Sequence, residues 1–175
     1  GNVVILAAED DLLEIHRRLD LLDPKGKRFN SQYEVFILPV PEQKEPMILL
    51  KEEGITQIGT DLIDELEAIP NLKLVCFDPL QAFTTGNVSS SNEVGQLWGS
   101  YCANISARFK CTTLTVHHLN KTALTNDSDD SMIQRQSIRG ASSISDSVRW
   151  VISLWLASVE DCERICEEQR VKYDR

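Results

Sequence analysis

The chain has no long hydrophobic run, no excess of positive charge and no paired-cysteine motif, and each absence excludes a class of protein. No stretch reaches the roughly 20 apolar residues of a membrane-spanning helix, and no basic segment followed by an apolar one opens the chain. A formal net charge of −9 argues against a surface that coats nucleic acid through general basicity. The composition therefore predicts a soluble, cytoplasmic protein with no membrane partner.

The five cysteines are odd in number and form no Cys-x-x-Cys pair, so neither a disulfide framework nor a zinc site is indicated. They are Cys76, Cys102, Cys111, Cys162 and Cys166. A length of 175 residues with 42% hydrophobic content suits one globular domain, which we place over residues 1–175. A strand-like run begins directly after Gly1, and residues 170–175 resemble the start of another strand. This pattern is typical of an excerpt from a longer protein.

Short apolar runs alternate with helical patterns along the chain, which predicts an α/β fold with a parallel sheet. We predict strands at residues 3–7, 34–38, 72–77, 112–116 and 150–156. The helices are expected at residues 12–22, 61–68, 93–109, 142–147 and 158–168. Residues 39–54 are interpreted as a loop with short extended pieces, and residues 86–92 and 120–136 as mobile polar loops.

Titratable side chains follow three of these strands. Glu9 and Asp10 come after the first strand, Asp78 after the strand at 72–77, and His118 after the strand at 112–116. Because ligands of parallel sheets bind outside the carboxyl ends of the strands, we expect these groups to meet in one crevice. Asp78 can hold Mg²⁺ directly or through water, and Glu9 can orient or deprotonate an attacking water. The sequence therefore predicts a metal-dependent, phosphate-cleaving site.

Each of these groups also has a purely structural interpretation. An Asp-Pro pair after a strand opens turns, Glu9 and Asp10 can cap the following helix, and a strand-end histidine can bond a backbone carbonyl. Asp10 or Asp11 can cap that helix, and of the two we expect Asp10 to do so. His117 and His118 point to opposite faces of a regular strand, which argues against a shared zinc ion. A strand-end imidazole can instead form a hydrogen bond with a γ-phosphate oxygen. Loss of that phosphate would then change the conformation of the loop that follows the strand.

Basic residues bracket the acidic loop at 126–131: they are Lys121, Arg135 and Arg139. They give local positive charge in an acidic chain, although ordinary solvated surface has the same pattern. Arg139 precedes the small residues Gly140 to Ser143, a composition that allows close approach of phosphates and bidentate contacts. His16, Arg17 and Arg18 are interpreted as helix surface and packing.

Taken together, these motifs resemble the plasmid RepA-type hexameric replicative helicases, which are RecA-like P-loop ATPases. The segments that carry the resemblance are residues 4–10, 15–19, 75–80, 117–121 and 139–143, and it is weakest across residues 39–59. It implies a RecA-like three-layer sandwich, with a mostly parallel sheet flanked by helices and incomplete at both ends. It also implies ATP and Mg²⁺ as cofactors, single-stranded DNA as a partner, a homo-oligomer that is a hexamer, and helicase activity in DNA replication of a plasmid or phage.

The resemblance also implies roles for individual residues at the nucleotide. Glu9 looks like the catalytic carboxylate, Asp78 like the Walker B acid that coordinates Mg²⁺, and His118 like the phosphate sensor. Asp10 is assigned to the same nucleotide and Mg²⁺ site. Arg139 resembles the arginine that reaches a neighbouring subunit's nucleotide, with Arg149 as a substitute.

Three further residues are assigned to DNA by the same resemblance. Asn120 and Lys121 open the loop that faces the central channel and single-stranded DNA in the family, and Arg135 lies in its continuation. These expectations concern binding rather than chemistry.

One hallmark of these ATPases, the Gly-x-x-x-x-Gly-Lys-Ser/Thr loop, is absent from the 175 residues. Without its backbone amides and lysine, we expect residues 1–175 alone to bind ATP weakly and to show no measurable ATPase activity. Restoring upstream sequence should restore activity. Two alternatives stay open: a non-motor RecA-like ATP-binding regulator, and a degenerate remnant that oligomerises without chemistry.

Overall fold

A computed structural model of the chain describes residues 1–30, 32–85, 92–118, 142–152 and 159–170. Its strands are β1 (Asn2–Ala7), β2 (Val35–Pro39), β3 (Leu50–Lys51), β4 (Gly54–Ile55), β5 (Leu72–Asp78) and β6 (Thr112–Thr115). Its helices are α1 (Leu12–Leu22), α2 (Gln57–Glu67), α3 (Asn92–Phe109), α4 (Ser142–Ser147) and α5 (Val159–Gln169). Four strands form a parallel sheet in the order β2-β1-β5-β6, while β3 and β4 form an antiparallel hairpin. This mostly parallel sheet flanked by helices confirms the predicted α/β, RecA-like arrangement.

The two central strands bury one side of the sheet much more deeply than the other. Val4 and Leu6 on β1 and Val75 and Phe77 on β5 are buried in a single core cluster with residues of α2 and α3. Their alternate neighbours, such as Ile5, are only half-buried. Because side chains alternate across a strand, each apolar run supplies one fully covered face.

An aromatic cluster fixes α3 against the sheet. The Phe77 ring lies 5.0 Å from Trp98, 5.6 Å from Phe83 and 6.4 Å from Tyr101 between centroids. Trp98 Nε1 donates a hydrogen bond to Thr115 Oγ1 at 3.1 Å, so the indole is both packed and satisfied. The Tyr101 hydroxyl donates to the carbonyl of Gly59 at 2.8 Å, and its burial raises the pKa of Tyr101. The cluster therefore joins α2, α3, β5 and β6.

Two glycines of α3 allow α4 to approach closely. A Cβ on Gly95 would lie 2.2 Å from Ser143 Oγ, and a Cβ on Gly99 would lie 2.3 Å from Ser147 Cβ. Real Cβ atoms do not approach other atoms this closely, so only glycine permits the observed contact. The spacing of four residues on each helix places the small residues on matching faces.

The structure departs from the sequence predictions at the start of α2 and at residues 150–152, and it agrees with them across residues 39–54. Helix α2 begins four residues early, because Thr56 Oγ1 accepts a hydrogen bond from Gly59 N at 3.0 Å and caps the helix. Residues 39–54 contain the expected extended pieces, here β3 and a short 3-10 turn at Val40–Glu42. Residues 150–152 form no strand, and the rest of that predicted strand lies outside the described residues, as do residues 86–91 of the Ser-rich loop.

Within the described ranges, no helix is long and apolar enough to cross a membrane.

Candidate functional site

The carboxyl ends of β1, β5 and β6 lie side by side at one edge of the sheet. Asp78 is the last residue of β5 and is in register with Ala7, the last residue of β1. The Ala8 amide donates to the Asp78 carbonyl at 2.7 Å, which holds the start of the following loop against β5. Glu9 and Asp10 therefore leave β1 directly beside Asp78.

His118 reaches this edge from β6 and contacts Glu9. Its Nε2 lies 3.3 Å from Glu9 Oε1, with the two side chains 48% and 57% exposed. The contact joins residues 109 positions apart in the chain. His118 thus contacts a carboxylate rather than a backbone carbonyl. His117 turns elsewhere, with Nδ1 3.1 Å from Gln81 Oε1, as the alternation of strand side chains predicted.

The charges around Asp78 are predominantly negative. Burial raises the pKa of Asp78 above its usual value, and the negative charges of Glu9 and Asp10 raise it further. His118 and Arg18 act in the opposite direction without cancelling the rise. The edge is therefore acidic and partly desolvated, and it favours an additional positive charge.

Arg18 holds Asp10, and this contact was missed from the sequence. Its guanidinium binds both oxygens of Asp10, at 2.5 and 3.1 Å, and its Nε donates to Glu14 at 2.8 Å. Arg18 lies on the exposed surface of α1, as predicted, but its ion pair with Asp10 was not predicted. The Asp10 contact spans eight residues across the start of α1, outside the three- and four-residue spacings that identify helical ion pairs in a sequence.

The cap of α1 is Asp11 rather than Asp10. Its carboxylate accepts from the Glu14 amide at 2.8 Å, and Glu42 Oε1 accepts from the Leu12 amide at 2.9 Å. The prediction that Asp10 caps this helix was wrong, because Asp10 lies one residue too early and is held by Arg18 instead. Two carboxylates thus satisfy the amides that begin α1.

The donor atoms at this edge are carboxylate oxygens, which suit hard cations such as Mg²⁺. Among the described residues, no group of three or more His, Cys, Asp or Glu side chains is arranged to hold an ion by itself. A cation here would keep several waters, as Mg²⁺ commonly does. Burial raises the pKa of the Cys76 and Cys102 thiols to about 11, so these nearby cysteines stay protonated and inert.

Several predicted site residues fall outside this geometry. Asn120, Lys121, Arg135 and Arg139 lie outside the described residues, so their predicted roles are untested. Arg149 is described and is exposed on the segment that follows α4.

The fold and the acidic carboxyl edge together define an α/β domain of the P-loop ATPase type. Residues 1–123 match the AAA domain family, and the chain belongs to this family. The matched segment contains Glu9, Asp10, Asp78 and His118. A comparison with curated proteins found no match.

Proposed function

We propose that the chain is the ATPase core of a plasmid- or phage-type replicative DNA helicase, which couples ATP hydrolysis at subunit interfaces to movement on single-stranded DNA. The observation that carries the proposal is the meeting of Glu9, Asp78 and His118 at the ends of three neighbouring parallel strands, with His118 Nε2 3.3 Å from Glu9 Oε1. Membership of the AAA domain family supports the general ATPase chemistry.

The described edge supplies the acidic part of such a site. Asp78, with its raised pKa and carboxylate donors nearby, fits a water-rich Mg²⁺ ion, because a cation relieves the repulsion between the acids. A Mg²⁺ ion held by Asp78 would supply positive charge that offsets the charge of a bound phosphate group. The proposal places ATP between this edge and a Gly-Lys-Ser/Thr loop that the 175 residues do not contain.

Glu9 is the proposed general base. Its Oε1 faces His118, and a carboxylate has further lone pairs with which to accept a proton from an attacking water. In this proposal, His118 exchanges its contact with Glu9 for one with a phosphate oxygen. That exchange would link the state of the nucleotide to the segment that follows β6.

The test of this assignment is Glu9→Gln in the natural polypeptide that carries these residues. We expect DNA-stimulated ATP turnover to fall by roughly 10²–10⁴-fold, the contribution of a general base, while nucleotide binding is retained. Asp11→Asn is the matched control, because an asparagine oxygen still caps α1 and the variant alters a neighbouring acid outside the proposed chemistry. Unchanged turnover in Glu9→Gln would refute the role of Glu9.

The motor part of the proposal needs a separate measurement. Displacement of a strand from a forked duplex, dependent on ATP and Mg²⁺, is expected of a helicase, together with a hexamer in solution. Lys121→Ala and Arg135→Ala are expected to weaken single-stranded DNA binding and reduce its salt dependence. Arg139→Ala is expected to remove turnover while leaving nucleotide binding intact.

A non-motor ATP-binding regulator is the second candidate, and the family match favours it equally, because that match identifies an AAA domain without specifying a motor. ATP turnover without strand displacement would select the regulator. Neither turnover nor nucleotide binding would select a degenerate remnant.

A further inference from the structure

The two consecutive histidines after β6 bond to the ends of two different strands. His118 contacts Glu9 beyond β1, and His117 contacts Gln81 in the 3-10 turn Leu80–Ala82 that follows β5. Asp78 ends β5, the strand next to β1, and lies three residues before Gln81. The two histidines therefore contact the segments that follow β1 and β5, beside the proposed Mg²⁺ ligand.

The backbone just before His117 is held in place. Val116 donates its amide to the Phe77 carbonyl at 2.9 Å, and the Leu80 amide donates to the Val116 carbonyl at 2.9 Å. Phe77 and Leu80 are fully buried, so these bonds rest on a rigid part of the core. Among the described residues, pairing of β6 with β5 ends at Thr115, and Val116 makes the backbone bonds that follow. The side chain of His117 contacts Gln81 directly after them.

The contact with Gln81 places an amide oxygen, Oε1, against Nδ1 of His117. An amide oxygen accepts hydrogen bonds and cannot donate them, so a neutral His117 that donates to it carries its hydrogen on Nδ1. Neutral histidine in water prefers the tautomer with hydrogen on Nε2, so this contact favours the less common form.

We propose that Gln81 is a positioning residue: by holding His117 in its Nδ1–H tautomer, it fixes the chain after β6 so that His118 faces Glu9. The proposal rests on the proposed function only in its claim that His118 serves a nucleotide site. The bond between Gln81 and His117 and its effect on His118 are independent of that claim.

Nitrogen NMR of the imidazoles tests the contact between Gln81 and His117 directly on residues 1–175. At pH 8, where ordinary histidines are neutral, we expect His117 to show the Nδ1–H pattern. Gln81→Met keeps the length of the side chain but removes the acceptor, and should convert His117 to the Nε2–H pattern and shift the His118 signals. Gln81→Glu supplies an oxygen acceptor again and should restore the Nδ1–H pattern.

His16 is the internal reference, because it is exposed on α1 and its signals should not change. Gln81 is exposed, so Gln81→Met is expected to fold, and unchanged near-ultraviolet circular dichroism would verify it. An unaltered His117 tautomer in Gln81→Met, or unaltered His118 signals, would overturn the proposal.

Kinetics then separates this inference from the proposed function. In the natural polypeptide, Gln81→Met should lower kcat for ATP by about 5–10-fold, the effect of one neutral hydrogen bond, with KM within about twofold. If Gln81→Met changes the His117 tautomer and the His118 signals but the wild type does not turn over ATP, the proposed function fails. The positioning role of Gln81 is then still supported. If the wild type turns over ATP and Gln81→Met matches its kcat, Gln81 does not position His118 for the reaction.

Discussion

Phe77 and Asp78 are neighbours on β5, yet they lie in opposite environments. Phe77 is completely buried among Phe83, Trp98 and Tyr101. Asp78 ends the strand, where partial burial and then the like charges of Glu9 and Asp10 raise its pKa. The aromatic core stabilises the fold through buried apolar contacts. The like charges at the carboxyl edge repel one another and destabilise it. Substitutions at these two neighbouring positions should therefore change different properties. Those at Phe77 should lower the free energy of unfolding, and those around Asp78 should alter the charge of the carboxyl edge.

The largest effect is expected from Phe77→Ala. Removing a buried ring with three aromatic neighbours should lower the free energy of unfolding by about 3–5 kcal/mol, a large share of the stability of an ordinary domain. Urea unfolding followed by circular dichroism measures this loss. Phe29→Ala removes the same ring from a site that is 74% exposed, and should cost under about 1 kcal/mol. Equal losses of unfolding free energy in Phe77→Ala and Phe29→Ala would contradict the expected difference between a buried and an exposed ring.

A smaller loss of stability is expected where α4 contacts α3. Gly99→Ala should cost about 1–3 kcal/mol despite the better helix propensity of alanine, because the new Cβ would meet Ser147. Ser147→Gly leaves only the Ser147 Cα at 3.6 Å from that Cβ, an ordinary contact. The double variant should therefore be more stable than Gly99→Ala alone. A simple additive loss in the double-mutant cycle would show that the close contact is unimportant.

At the carboxyl edge, Arg18→Met should change the pKa of Asp78 while leaving the free energy of unfolding almost unchanged. The change in unfolding free energy should stay below about 1 kcal/mol, because Arg18 is largely exposed. The pKa of Asp78 should rise further, since a positive charge that lowers it is removed. Carbon NMR of the carboxyl group measures this pKa. Arg17→Met is the control, because Arg17 pairs with Glu14 without contacting Asp10, and it should leave Asp78 unaffected.

The smallest effect is a gain in stability from Asp78→Asn without Mg²⁺. An acid whose pKa is raised by folding binds its proton more tightly in the native state, so the wild type loses stability as the pH rises through and above the ordinary pKa of aspartate. The variant should melt about 1–3 °C higher than the wild type at pH 7, with the difference vanishing near pH 3. Thermal melts across this range, with Glu52→Gln in the exposed turn as a charge control, check the sign.

The elements at the edge were predictable because their signals are local. Short apolar runs ended by Glu9, Asp78 and His118 indicate strands with polar ends, and the parallel order brings those ends together. The contacts of Arg18 and Gln81 were not predictable. The contact of Arg18 with Asp10 spans eight residues across the start of α1, and the contact of Gln81 with His117 joins residues 36 positions apart. Neither follows a regular spacing. Such contacts exist only once the fold is formed.

The first turn of α1 has a consequence for where an anion can bind. A helix N-terminus normally attracts phosphate through its unpaired amides and the dipole of the helix. Here Asp11 and Glu42 accept from those amides, so two carboxylates already occupy the place an anion would take beside Glu9 and Asp10. The start of α1 is therefore a poor place for an anion, although it is the N-terminus of a helix.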